Sequence, residues 1–166
     1  MSHLSKQSWQ QAIPVGSLLR FFGCLFLALA IAGCQVHFVS NYDEATDTLA
    51  RNLQSKIDRQ FQSWIRMPAG SPGLKYDDKA NREFYAEVSA ELSVLEGRAK
   101  AQPLNQTTVA MIETIRNSMD RIEALHREAQ TISAAALSSV QAQIDFQFQR
   151  LIAFELAKKR GETPKS

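Results

Sequence analysis

Glu123, Ala124, Leu125 and His126 set an acid and a histidine at i and i+3 on what reads as one helix. Carboxylate-bridged di-iron bundles hold metal with this spacing. Such a site also needs a second copy of the pair on another helix and two further inward carboxylates, and the chain has no second copy. His126 falls near the carboxyl end of its helix, where a surface histidine is favourable to the dipole, so it reads as a solvated residue. His3 and His37 precede every helical pattern, which leaves no His/His or Cys/His ligand set. Neither a metal site nor a cofactor is expected.

Nucleophile motifs are absent as well: the sequence has no G-x-S-x-G, no Walker-type glycine loop and no H-E-x-x-H. Glu87 with Glu91, and Asp43, Glu44 and Asp47, are spaced as helix-face and cap charges and read as solvated rather than as a glycosidase pair. No catalytic residue is expected, and the chain reads as a non-enzyme.

The elements that position these groups are helices. From Tyr42 onward Ala45, Leu49, Leu53, Ile57, Phe61, Trp64 and Ile65 recur in threes and fours, an amphipathic helix pattern that ends near Arg66. Ser40 and Asp43, three apart, read as a capping box at its start. Residues 67–73 hold two prolines and two glycines, and the loop at 68–76 is long enough to suggest use in binding. A second stripe, Phe84, Tyr85, Val88, Leu92, Leu95 and Ala99, follows Asp77 and Asp78, which suit a helix amino end. Pro103 ends it and Asn105 reads as the cap of a third helix bearing Val109, Ile112, Ile115, Met119, Ile122 and Leu125.

A break without Gly or Pro falls at 130–133, after which Leu137, Val140, Ile144, Phe148, Leu151 and Ile152 carry a fourth stripe to Lys159, stopped at Gly161. Short connections favour antiparallel neighbours, so the fold class is all-α, an antiparallel bundle of about four helices. Without the break near Thr131, the last two helices would fuse into an extended coiled coil. Phe146 sits nearly opposite the main stripe of the last helix and Phe154 and Leu156 flank it, a wide apolar arc that reads as an enclosed helix or as a partner or dimer face. The basic tail Lys158, Lys159, Arg160 and Lys165 reads as solvated helix-end charge, or as a contact for anionic lipid or cell-wall polymer.

The chain has 166 residues, 45% of them apolar and 22% charged, the composition of one ordinary globular domain. Lys6 and Arg20 are the only charged residues among the first 33, so the formal +2 belongs to that segment and the remainder balances 17 basic against 17 acidic residues. A neutral body has no field to collect phosphates, which disfavours nucleic acid as a partner. Cys24 and Cys34 are the only cysteines, so no disulfide can form within the body.

After Arg20 comes an uncharged run of 13 residues, 21–33, short of the roughly 20 that span a bilayer. It reads as a signal-peptide core with no polar helical face. The run ends in Ile31-Ala32-Gly33-Cys34, which resembles the bacterial lipobox. That resemblance implies a diacylglycerol thioether on Cys34 and cleavage between Gly33 and Cys34. It divides the chain into a signal peptide (1–33), a lipidated tether (34–41), a helical bundle (42–160) and a flexible tail (161–166). Gln35 after the cysteine, under the sorting rule of many Gram-negative lipoproteins, implies an outer-membrane anchor with a periplasmic body.

A tether of residues 35–41 spans at most about 23 Å, at roughly 3.3 Å per residue, so the body is expected to work close to the membrane. The body itself resembles the small helical lipoproteins of Gram-negative envelopes. The expectation is a membrane-anchored, non-enzymatic accessory subunit facing an envelope protein or a second copy of the chain. The alternative is a bundle that binds a small apolar ligand or a metal.

Overall fold

The computed structural model describes residues 40–161, which belong to one compact unit. The proposed leader, the Gly33–Cys34 cleavage site, most of the tether and Lys165 lie outside the described residues. Among the described residues the fold is an all-α bundle of four helices, α1 (Glu44–Arg66), α2 (Lys79–Lys100), α3 (Gln106–Ala129) and α4 (Ala134–Gly161), with a 3-10 turn at Pro72–Leu74 before α2. Each helix packs on the next, and α4 closes the ring against α1. The start of α1, the end of α2, the start of α3 and the end of α4 meet at one end, here called proximal. The loop after α1 and the α3–α4 connection meet at the distal end.

Local chemistry explains each boundary. Asp43 caps α1, its carboxylate accepting from the Thr46 amide at 3.2 Å and the Thr46 hydroxyl at 2.6 Å. Ser40 is therefore not half of a capping box; its hydroxyl donates instead to Asn105 Oδ1 at 2.7 Å. The helix stops because Pro68 forces Met67 into extended backbone, φ −73° and ψ 140°. Asp78 caps α2 through the Ala80 amide at 2.9 Å. Asn105 occupies the cap position of α3 without capping it, since its side chain is committed to groups on other elements. The break after α3 is real: Gln130 takes a left-handed conformation, φ 60°, and Ser133 receives the Ala136 amide at 3.3 Å to start α4. Two separate helices, rather than one extended coiled coil, follow.

The core runs the length of the bundle, with Leu53, Ile57 and Phe61 from α1, Leu92 and Leu95 from α2, Ile112 and Ile115 from α3, and Ile144, Phe148 and Leu151 from α4 all buried. Trp64, also fully buried, stands at its distal end. The α1–α2 seam is rimmed by Lys56 with Glu87 and Glu91, and the α2–α3 seam by Arg116 with Glu96. The Lys56 pairs, at the solvent edge, add little individually, and the Arg116–Glu96 pair is half-buried. Between α1 and α4 the rim is uncharged or acidic: Gln62 donates to Gln141 at 2.8 Å, Gln54 to Asp145 at 3.3 Å, and Asp58 faces Asp145 and Gln141. Burial and the facing Asp145 push the Asp58 carboxyl up to about 6.

Candidate functional site: an apolar cleft at the distal end

Trp64 organises the distal end. Its indole stacks on Phe61 with centroids 5.6 Å apart and meets Phe84 edge-on at 5.3 Å. The indole nitrogen donates to Asn81 Oδ1 at 3.0 Å, and the Asn81 amide donates in turn to the carbonyls of Gly73 and Lys75, each at 2.8 Å. One buried asparagine on α2 thus fixes the course of the loop after α1. The Tyr76 amide reaches the Gln130 carbonyl at 3.2 Å, and Lys75 makes an isolated bridge with Thr131. These contacts stitch that loop to the α3–α4 connection.

His126 is not the solvated surface residue its helix-end position suggested. It is 1% exposed, while its neighbour Leu125, placed on the apolar stripe from sequence, is 54% exposed. The imidazole Nε2 donates to the Leu74 carbonyl at 2.9 Å, which leaves Nδ1 to accept the Tyr85 hydroxyl at 3.0 Å. This pairing suits the neutral ring, and burial pushes the His126 pKa below its ordinary value. Glu123 does not join it as a metal ligand; its carboxylate accepts the Tyr76 hydroxyl at 2.9 Å. No group of three or more His, Cys, Asp or Glu suited to a metal ion occurs among the described residues.

Beside this cluster lies a cleft of about 570 Å³. Met67, Ala69 and Gly70 wall one side, Ile122, Leu125 and Ala129 of α3 another, and Ile132, Ala136 and Val140 of the connection and α4 the third. His126 and Leu74 form part of its floor. No charged side chain lines it. Gly70, at φ 82°, adopts a backbone conformation that L side chains rarely take, and so lets the loop bend over the opening. Small residues at 69, 70, 129, 134 and 136 leave the space that larger ones would fill.

The residues singled out from sequence do not converge here. Phe146 points outward, 60% exposed, with the Arg150 guanidinium 5.8 Å from its ring. Phe154 is half-buried beneath the Lys158 ammonium, 5.1 Å from its ring centroid, and Leu156 packs on the core.

Lys158 is a second departure from expectation. It was read as part of a solvated basic tail, and its side chain is 3% exposed. Its ammonium donates to Asn105 Oδ1 at 2.7 Å, Thr108 Oγ1 at 2.8 Å and Glu155 Oε1 at 2.7 Å. Three acceptors satisfy a group that burial would otherwise strand. The Asn105 amide donates to the Ala99 carbonyl at 2.9 Å, and Ser40 is tied to the same node through its hydroxyl and through its amide to the Leu104 carbonyl at 3.1 Å. One polar cluster therefore joins the entry of the chain to α2, α3 and α4. The hydrogen bonds of its lysine, asparagine, threonine and of Glu155 Oε1 are all internal, and Glu155 Oε2 is buried without a partner.

No protein-family model, curated protein or solved structure matches the chain. No described helix is long and apolar enough to cross a membrane.

Proposed function

We propose that the protein is a lipid-anchored, non-enzymatic accessory subunit of a bacterial envelope that receives an apolar segment of a protein partner in its distal cleft. The observation that carries the reading is the uncharged cleft between the 67–70 loop, α3 and α4, at the end of the bundle opposite the entry of the tether. An anchor on Cys34 would hold the proximal end near the lipid and leave the distal opening facing away from it. Apolar surface gathered in one concave place favours a partner more than scattered exposed residues do.

A photoreactive side chain at Leu125, compared with one at Val94, tests the reading. Val94 is 62% exposed on α2, away from the cleft. A discrete adduct from the Leu125 position, missing from the Val94 position and lost when Met67→Asp is added, supports it; equal labelling from both overturns it. Mass spectrometry of the membrane-extracted protein beside a Cys34→Ser variant tests the anchor.

A second reading, a small apolar ligand in the same cleft, is favoured by its size, which falls within the roughly 300–1,000 Å³ of small-molecule sites. Displacement of an apolar dye from the purified protein by added fatty acid, without any partner, supports this reading instead.

A further inference from the structure

We infer that the proximal end of the bundle is a docking face for an anionic lipid surface, with Leu104 as its apolar contact and Lys159 and Arg160 as its headgroup contacts. The inference rests on the proposed anchor at Cys34 and adds an orientation to it. Ser40 is bonded directly to the Leu104 carbonyl at 3.1 Å. Five residues separate Cys34 from Ser40, so at roughly 3.3 Å for each of the six steps a lipid on Cys34 keeps the Leu104 loop within about 20 Å of the bilayer by covalent length alone.

The loop is shaped to present an apolar side chain. Leu104 is 49% exposed and holds φ at 59°, a conformation that glycine or asparagine adopts more readily than leucine. The buried node explains the backbone: Asn105 and Ser40 pull the chain inward on either side of the Leu104 carbonyl, which turns the leucine side chain out. Pro103 is exposed beside it.

The charges at this end that no ion pair takes up are basic in excess by one. Asp43 is held by the Arg98 guanidinium at 2.8 Å, Asp47 by Arg51 at 2.9 Å and Glu155 by Lys158 at 2.7 Å. Lys100 pairs with Glu96 and Glu113. Glu44 is then set against Lys159 and Arg160, all three exposed, with the Lys159 ammonium 4.9 Å from the Tyr42 ring centroid beside the tether. A few basic side chains near a surface add useful attraction only when another tether holds them there, as the proposed lipid would.

Cys34 is the one cysteine in the chain from 34 onward, so its thiol can be coupled to a maleimide lipid in vesicles whether or not cells acylate it. The body carried this way is the self-contained bundle. Tryptophan replaces Leu104 in one sample and the distal Leu125 in another, in vesicles with brominated acyl chains; the native Trp64 is fully buried. Bromine is expected to quench the Leu104→Trp indole in phosphatidylglycerol vesicles and to leave the Leu125→Trp indole bright. Lys159→Glu with Arg160→Glu, or a change to phosphatidylcholine, is expected to reduce the quenching severalfold. No quenching at Leu104→Trp, or equal quenching at both positions, overturns the docking face. A missing lipid mass on native Cys34 overturns the anchor instead, so the two failures are separable.

Discussion

The two ends of the bundle solve the same packing problem in opposite ways. Both place polar side chains on the buried seam: Thr108, Glu155 and Lys158 proximally, and Asn81 and His126 distally. At the proximal end these groups bond chiefly to one another. At the distal end they bond mainly to the backbone of a loop, holding it beside a cleft. A polar group satisfied by another helix locks the register of the bundle, whereas one satisfied by a loop positions that loop and leaves its apolar neighbours available. The proximal end is accordingly built as a fixed base, while the distal end keeps an uncharged cleft.

The largest test of this contrast breaks the base. Lys158→Met leaves the Glu155 carboxylate buried without its cation and is expected to lower stability by about 3–5 kcal/mol in urea denaturation. Adding Glu155→Leu removes the orphaned charge and should recover most of the loss. If the single variant is as stable as the wild type, the node is not what closes the proximal end.

Next comes the distal clamp. His126→Leu leaves the Leu74 carbonyl and the Tyr85 hydroxyl without a partner, for an expected loss of about 2 kcal/mol. The same histidine makes stability depend on pH. Its folded pKa is depressed, so its contribution is full above the unfolded value of 6.5 and is lost as pH falls below it. Denaturation midpoints measured from neutral to acidic pH should show this component in the wild type and lose it in the variant.

Asp58 predicts the opposite slope on the α1–α4 seam. Its carboxyl is raised from 3.8 to about 6, so its contribution is full below 3.8 and is lost as pH rises through 6. Asp58→Asn is expected to flatten that part of the profile, because an amide can donate to Asp145 without a shared proton. An unchanged profile would mean that the two carboxyls do not share one. The smallest effect on stability should come from Leu125→Asp in the cleft, within about 0.5 kcal/mol of the wild type, since the side chain is exposed. On the proposed function it should nevertheless abolish partner capture.

The helices, their order and the break at 130–133 were legible in the sequence because amphipathic spacing is a local property of the chain. The placement of the polar groups was legible only in part. His126 continues the alternation of fours and threes set by Ile115, Met119 and Ile122, whereas Leu125, three after Ile122, breaks it, and residue type favoured the leucine. Glu155 and Lys158 extend Ile144, Phe148 and Leu151 in strict heptad spacing, yet the charge of Lys158 reads as solvated from the sequence. Spacing alone pointed inward at all three; whether a charge or an imidazole is tolerated there depends on partners far away in the chain. Those partners are Thr108 and Asn105 for Lys158, and Leu74 and Tyr85 for His126.

The distal cleft had no signal of its own beyond a long loop, because a cleft is the space that three separately coded segments leave between them. By itself the sequence determined which segments are helical and about where they stop, since these follow from periodicity and helix-breaking residues. Only the tertiary structure decided which polar side chains are buried and where the bundle stays open, because desolvation is offset by hydrogen bonds between groups that meet only when the four helices pack.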